Sequence, residues 1–161
     1  MPKKRNCQLA DLLTTVAIII DSYGRQVPIY FAVRDGISNE IITDNEWVWQ
    51  TLLNLLTNAC KHTDTGSIHV NVSLCTDFPA GRKGTKVVHS GSDDTPFPPQ
   101  QLLFEIVDSG VGVDLAKHDS LFEVFSQAQS GQSTGTGLGL FSVYSRCTRL
   151  GGACGLISPN L

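Results

Sequence analysis

The residues with the clearest chemical potential lie on one stripe of a predicted helix between Asp44 and His62. No Gly or Pro interrupts this segment, and Asp44 is a typical N-cap residue. At about 100° per residue, one narrow stripe collects the side chains of Asn54, Asn58, Lys61 and His62. The rest of the circumference is apolar, which is typical of a buried helix. The stripe therefore faces either solvent or a ligand, and the helix alone leaves both interpretations open.

Two glycine-rich stretches further along the chain could approach a ligand through their backbone. The first, DSGVG, begins at Asp108, directly after a hydrophobic run. A carboxylate at a strand end can accept a hydrogen bond from an exocyclic amino group. The glycines that follow, Gly110 and Gly112, let the backbone approach a flat ring because they lack a Cβ atom. Taken alone, the stretch is also explained by an Asx turn that caps the strand.

The second stretch, GTGLGL, runs from Gly135 to Leu140 and opens a predicted helix. Free backbone N–H groups at the positive end of a helix dipole suit phosphate oxygens. A Gln/Ser-rich loop precedes the stretch instead of a strand, so it is not a dinucleotide-binding fingerprint. The sequence also contains no G-x-x-x-x-G-K-[ST] motif and no protein-kinase signature set.

Hydrophobic periodicity predicts the elements that must position these residues. Helices are predicted at residues 7–23, 44–62 and 138–150, and strands at 29–33, 37–43, 67–75, 102–107 and 154–158. We expect the first two strands to pair through the Asp35-Gly36 turn or nearby. In the third strand, alternation predicts that Ile68, Val70, Val72 and Leu74 point inward. Residues 76–100 are predicted to form a flexible loop inserted between two paired strands. These elements predict an α+β protein with a two-layer sandwich.

Composition limits the classes of function. The 161 residues are enough for one domain. The net charge of −3 provides no positive electrostatic field that would attract nucleic acid. No stretch reaches the ~18 uninterrupted apolar residues of a membrane-spanning helix. The five cysteines include no C-x-x-C pair, which indicates reduced thiols in an intracellular protein. The four histidines are scattered along the chain, so we do not expect a zinc site made by the protein.

In combination, the motifs resemble those of a known family. In order and spacing, NLLTNACKH, DSGVG, LFEVFSQ and GTGLGL are similar to the N box, first glycine box, F box and second glycine box of sensor histidine kinases. The similarity covers residues 9 to 158. These kinases share an ATP-binding superfamily, GHKL, with gyrase, a heat-shock chaperone and a mismatch-repair protein. The resemblance implies the Bergerat fold, a mixed and mostly antiparallel sheet with three helices on one face and an ATP lid at residues 112–135.

The resemblance also implies roles for individual residues. Asn58 would be the Mg²⁺ ligand, because a neutral amide oxygen suits a hard cation. Lys61 would contact phosphate, His62 would border the nucleotide, and Asp108 would bind the adenine amino group, with Gly110 and Gly112 shaping the base pocket. Asn54 stands where hydrolytic relatives carry a glutamate, and we expect Asn54 and Lys61 to act in catalysis.

For the second glycine box, the resemblance implies a hinge for the lid and a set of amides that bind the phosphates. The residues concerned are Gly135, Thr136, Gly137, Leu138 and Gly139. The F-box residues Phe122 and Phe125 would anchor the lid. Relatives usually continue past Gly151-Gly152 with two closing strands, so we expect residues 1–161 to form a single ATPase domain that is truncated before the last strand.

The implied function is transfer of the γ-phosphoryl group of Mg-ATP to a histidine on a separate dimerisation domain, and from there to a receiver domain. The phosphoacceptor histidine would not be in this chain. Two alternatives remain: an ATP-hydrolysing clamp with the same fold, and a regulatory module that binds nucleotide without chemistry. We expect a cytoplasmic domain without nucleic-acid or membrane contacts, although the full-length parent could be anchored in a membrane.

Overall fold

A computed structural model describes residues 1–24, 27–75, 85–89, 100–114, 121–122 and 138–158. The helices in these ranges are Leu9–Ser22 (α1), Asn45–His62 (α2) and Gly139–Leu150 (α3). The strands are Arg5–Gln8 (β1), Ile29–Val33 (β2), Glu40–Thr43 (β3), Ile68–Cys75 (β4), Thr85–His89 (β5), Gln101–Asp108 (β6) and Ala153–Ile157 (β7). None of these helices is long and apolar enough to cross a membrane.

The fold class is α+β, as the sequence predicts. Strand β2 pairs with β4 in parallel, whereas the pairs β1–β3, β4–β6 and β5–β7 are antiparallel. The pairing is therefore mixed and mostly antiparallel, and in the described ranges it falls into three sheets. The chain divides into two compact units, one formed by Met1–Thr76 with Pro98–Val111 and the other by Asp77–Phe97 with Gly112–Leu161.

The core of the first unit lies between the two helices α1 and α2 and the β2-β4-β6 sheet. Its most buried side chains are Leu12, Val16 and Ile20 from α1, Leu52 and Leu56 from α2, and Ile68, Val70 and Val72 from β4. The helical spacing of apolar residues in α1 and α2 and their alternation in β4 give each element one apolar face, and these three faces pack together. Leu74 was predicted to point inward, but it is 50% exposed. It lies beyond Val72, the last β4 residue that pairs with β2.

The N-terminal pairing differs from the sequence prediction. Strand β1 occupies the start of the predicted helix, so α1 begins at Leu9. The predicted second strand shortens to β3 and pairs with β1 instead of β2. Asn39 explains the start of α1, because its backbone carbonyl accepts from Leu9 N at 2.7 Å and its Oδ1 accepts from Ala10 N at 2.8 Å. A distant residue therefore satisfies the free N–H groups of the first turn.

Asp44 caps α2 as predicted and also binds the N-terminal segment. Its Oδ1 accepts from Trp47 N at 3.1 Å, and its Oδ2 accepts from the backbone N of Lys3. Burial of the carboxyl opposes ionisation, but hydrogen bonds from the backbone N–H groups of Lys3, Trp47 and Glu46 outweigh it and hold the pKa of Asp44 below its ordinary value. The ionised cap therefore stabilises the start of α2 and the position of β1 together.

The second unit contains a strand that the sequence analysis missed. Residues 76–100 were predicted to be one flexible loop, but Thr85–His89 within it forms β5 and pairs antiparallel with β7. The segment TKVVH has the β-branched residues that favour strands, and it pairs with a strand that lies far along the chain. Apart from β5 and Gln100, residues 76–100 lie outside the described ranges. Helix α3 ends at Leu150 and is followed by Gly151, whose φ of 85° is left-handed, as the Gly151-Gly152 pair indicates.

The turn after α2 is fastened to the end of β6 by a compact set of contacts, which we call the α2–β6 clasp (residues 62–67 and 108–111). Ser109 Oγ donates to Thr65 O at 3.0 Å and accepts from Ser67 N at 3.0 Å. Val111 N donates to His62 O at 3.4 Å. Gly66 has a φ of 98°, and a Cβ there would lie 2.1 Å from Ser109 Oγ. The clasp thus holds the end of β6 against the last turn of α2.

Gly110 is the residue of the clasp where an added side chain would meet backbone. A Cβ atom at this position would lie 2.3 Å from the backbone oxygen of His62 and 2.7 Å from Asp108 Oδ1. Because the first obstacle is backbone, no side-chain rotation can relieve it.

We expect Gly110→Ala to lower the free energy of unfolding by about 3 kcal/mol, the upper end of the range for overpacking. The control is Gly24→Ala, where a Cβ would meet nothing within 4 Å. Since φ at Gly24 is 67°, this control should cost only about 1–2 kcal/mol for the left-handed conformation. Urea unfolding measures both losses. Equal losses for the two variants would contradict the close contact at Gly110.

Candidate functional site

The polar stripe of α2 lies opposite its buried face. Leu52, Leu56 and Ala59 are buried, whereas Asn54 and Asn58 are half-buried. Within the described part of the chain, neither asparagine side chain forms a hydrogen bond to another residue. A half-buried amide without a partner is costly unless water or a ligand satisfies it. The stripe therefore offers two amides whose hydrogen-bonding groups are available to a ligand.

The end of the stripe is charged and open to solvent. Lys61 and His62 form the last turn of α2 and are both exposed. The backbone oxygen of His62 is used by the clasp, whereas its side chain remains at the surface. A cation in the last turn of a helix also compensates the negative end of the helix dipole. Lys61 is thus free to contact an anion while it stabilises the helix.

Asp108 is exposed at the end of β6, and its two oxygens differ in their surroundings. Oδ1 accepts from Gly110 N at 2.9 Å and from the buried Thr63 Oγ1 at 3.5 Å. The Asx turn considered in the sequence analysis is therefore present. Oδ2 makes no hydrogen bond to the residues that the structure describes. One oxygen thus holds the turn, and the other is available to accept from a ligand amino group.

Only part of the second glycine box can be placed. Gly135, Thr136 and Gly137 lie outside the described residues, whereas Leu138 and Gly139 form the start of α3. The N-cap residue is Leu138, and among the described residues no side-chain cap hydrogen bond is made to the first-turn N–H groups of α3. Such N–H groups favour an anion. Ser142 N donates to Leu138 O at 2.9 Å, which begins the regular helical pattern.

The predicted lid, residues 112–135, is described at its start and at residues 121–122. Gly112 is exposed with a φ of 74°, a conformation that favours glycine. Val113 N donates to the buried Ser158 Oγ at 3.0 Å, which ties the start of this segment to the residue after β7. Phe122 is buried at 8% exposure. Phe125 lies outside the described residues.

Sequence reasoning missed the residues that position the site instead of forming it. Thr63 is 1% exposed and donates to Asp108, and Ser109 forms the centre of the clasp. A buried polar residue directly after an amphipathic helix is a signal that could have indicated Thr63, because such a group must be hydrogen-bonded. Ser109 carries no comparable signal, since its partners lie 42 to 44 residues away.

Comparison with known proteins identifies the family. Residues 43–160 match the model of the histidine kinase-, DNA gyrase B-, and HSP90-like ATPases. Sensory/regulatory protein RpfC from Xanthomonas campestris is 29% identical over 157 residues, which cover 94% of this chain and 19% of that protein. Autoinducer 2 sensor kinase/phosphatase LuxQ from Vibrio vulnificus is 31% identical over 143 residues, which cover 86% of this chain and 15% of LuxQ. The chain therefore spans less than a fifth of the length of these relatives.

Solved structures agree with this assignment at the level of the fold. Full-length ShkA in complex with AMPPNP superimposes with a TM-score of 0.63 at 22% identity, covering 96% of this chain and 30% of ShkA. The catalytic domain of histidine kinase ThkA gives a TM-score of 0.64 at 17% identity, covering 92% of this chain and 82% of that domain. The motifs, the fold and the family model agree, and the chain belongs to the histidine kinase-, DNA gyrase B- and HSP90-like ATPases, as a catalytic domain of the histidine-kinase type.

Proposed function

We propose that this domain binds Mg-ATP and donates the γ-phosphoryl group to a histidine on a separate dimerisation domain. The observation that carries the proposal is the pair of half-buried amides of Asn54 and Asn58 on α2, which form no side-chain hydrogen bond to the residues that the structure describes. The clasp joins the last turn of this helix to Asp108. Membership of the ATPase family supports nucleotide binding. The transfer step and its partners, including a receiver domain, are proposals, because the chain spans only a small part of its relatives.

We assign the metal site to Asn58. Its amide oxygen is a neutral, hard donor of the kind that Mg²⁺ accepts while it keeps several waters. When bound, Mg²⁺ would neutralise charge on the phosphate oxygens. Lys61, exposed one turn further along the same stripe, would add a positive charge for the phosphates. The available amides and the cation fit a metal-bound polyphosphate better than they fit a neutral ligand.

We assign base recognition to Asp108. Since Oδ1 is held by Gly110 N and Thr63 Oγ1, Oδ2 would accept from the adenine amino group. Gly110 and Gly112 would leave room for the ring, and His62 would border the nucleotide. In the second unit, the amides at Leu138 and Gly139, continuing the box at Gly135, Thr136 and Gly137, would bind phosphate oxygens.

Catalysis in this proposal consists of positioning and charge neutralisation. Asn54 stands where hydrolytic relatives carry a glutamate, and an amide cannot accept a proton at neutral pH. Water at this position would therefore not be activated, which favours transfer to a partner histidine over hydrolysis by a clamp. Lys61 and Asn54 would orient and neutralise the phosphates without exchanging protons.

The metal assignment predicts that Asn58→Ala weakens Mg-ATP binding by about tenfold or more, about 1.4 kcal/mol or more of binding free energy. Asn58→Asp should also change the Mg²⁺ dependence, because it adds a charge beside the phosphates. Calorimetric titrations with and without Mg²⁺ measure the effect. Asn71→Ala, which removes a half-buried amide on β4, is the control. Undiminished Mg²⁺-dependent affinity in folded Asn58→Ala would remove Asn58 from the site.

The base assignment predicts that Asp108→Asn abolishes the preference for ATP over GTP. The asparagine oxygen can still accept from Gly110 N, so the turn should persist while an NH₂ group replaces Oδ2. Facing the adenine amino group, this mismatch should cost about 1–3 kcal/mol. Competition binding of ATP and GTP measures the preference, with exposed Asp35→Asn as the control. If discrimination is unchanged, Asp108 serves the Asx turn alone.

The transfer assignment predicts two results with radiolabelled ATP. The domain alone should gain no acid-labile phosphate on its histidines and should hydrolyse ATP far more slowly than about 1 s⁻¹. When a helical histidine domain from a sensor kinase is added, label should appear on that domain. Turnover near 1 s⁻¹ without a partner would favour the ATP-hydrolysing clamp. Binding of ATP with neither transfer nor hydrolysis would favour the regulatory module.

A further inference from the structure

Two cysteines in the second unit are brought together by the turn that ends α3. Gly152 N donates to Cys147 O at 2.9 Å, and Gly151 N donates to Thr148 O at 3.0 Å. With Gly151 in the left-handed conformation, these two bonds form a Schellman motif. The motif reverses the chain into β7, whose second residue is Cys154 and which packs against α3. The Cys154 thiol influences the pKa of Cys147 more strongly than any other group does.

The surroundings of the two thiols differ. Cys154 is buried at 8% exposure, whereas Cys147 is half-buried. Arg146 carries its positive charge next to Cys147, and its Nη1 is buried without a hydrogen-bond partner in the described part of the chain. The Cys154 thiol, aided by the Arg146 charge, lowers the pKa of Cys147 against the opposing effect of burial. The interaction with Cys147, together with burial, raises the pKa of Cys154.

We propose that Cys147 and Cys154 form a modification site, a dithiol that a low-molecular-weight disulfide such as oxidised glutathione converts to an intramolecular disulfide. The site is independent of the nucleotide proposal. It lies at the C-terminal end of α3, whereas the candidate phosphate-binding amides lie at the N-terminal end. The bond would fix the Schellman turn covalently between α3 and β7.

The chemistry follows from the asymmetry of the pair. The Cys147 thiolate attacks one sulfur of oxidised glutathione, which forms a mixed disulfide and releases one glutathione thiolate. That thiolate takes the proton of the Cys154 thiol. The Cys154 sulfur then attacks the Cys147 sulfur and expels the second glutathione. Two protein thiols are oxidised, and one small disulfide is reduced to two thiols.

The sequence allows a direct test on the unmodified chain. Trypsin cleaves after Arg146 and after Arg149, so the two cysteines fall in separate peptides, residues 147–149 and 150–161. The folded chain is incubated with oxidised glutathione, blocked with N-ethylmaleimide, digested without reduction and analysed by mass spectrometry. We expect a linked pair of these two peptides as the main cross-linked product. The folded chain should form this link faster than the chain in denaturant, where the short spacing alone favours the same pairing.

Single substitutions separate the roles of the two thiols. Cys154→Ser should abolish the link and leave Cys147 as a stable mixed disulfide with glutathione. Cys147→Ser should abolish the link and leave Cys154 largely unmodified, and Cys7→Ser is the control that should keep the link. The proposal is overturned if the folded chain gives no linked peptide, or if Cys147 pairs mainly with Cys7, Cys60 or Cys75.

A second probe tests the proximity of the thiols without oxidation or substitution. Phenylarsine oxide binds two neighbouring thiols through one arsenic atom. In the folded wild-type chain it should protect both Cys147 and Cys154 from N-ethylmaleimide. Alkylation of both cysteines at the unprotected rate would show that the thiols are too far apart for either reaction.

Discussion

The close approach of Gly110 to the backbone oxygen of His62 is the constraint on which the candidate site depends. It places the end of β6 against the last turn of α2 with no room for a Cβ atom. Ser109 and Val111 add hydrogen bonds on either side of this contact. The polar stripe of α2 and the carboxylate of Asp108 are therefore held in one arrangement by backbone, which is stiffer than contacts between side chains.

Asp108 serves the fold through one of its two carboxylate oxygens, and we propose that it serves the site through the other. Asp108 uses Oδ1 to close its own turn and to accept from Thr63, so its carboxylate has a fixed orientation before any ligand binds. A preoriented acceptor loses little conformational entropy on binding, which favours specific recognition. The Asx turn and the base contact were alternatives at the level of sequence, and the structure makes them compatible.

The core supplies the rigidity that this arrangement needs. Val16, Leu56 and Val72 are completely buried and come from α1, α2 and β4, respectively. Because α2 packs on this core through one face, its opposite face can carry polar groups at half-burial without unfolding the helix. Asp44 contributes from the other end, since its ionised carboxyl caps α2 and holds the N-terminal segment.

The sequence by itself determined the features that depend on neighbouring residues: the bounds and N-cap of α2, the alternation in β4, the glycine stop after α3, and the four family motifs in order. Only the tertiary structure decided the features that need distant partners. These include the pairing of β1 with β3, the strand β5, the capping of α1 by Asn39, and the Ser109 clasp. The local periodicity of a segment indicates which of its faces is apolar. The strand that pairs with an edge, or the group that hydrogen-bonds to a hydroxyl, is far away in the sequence, so it is fixed only by the path of the folded chain.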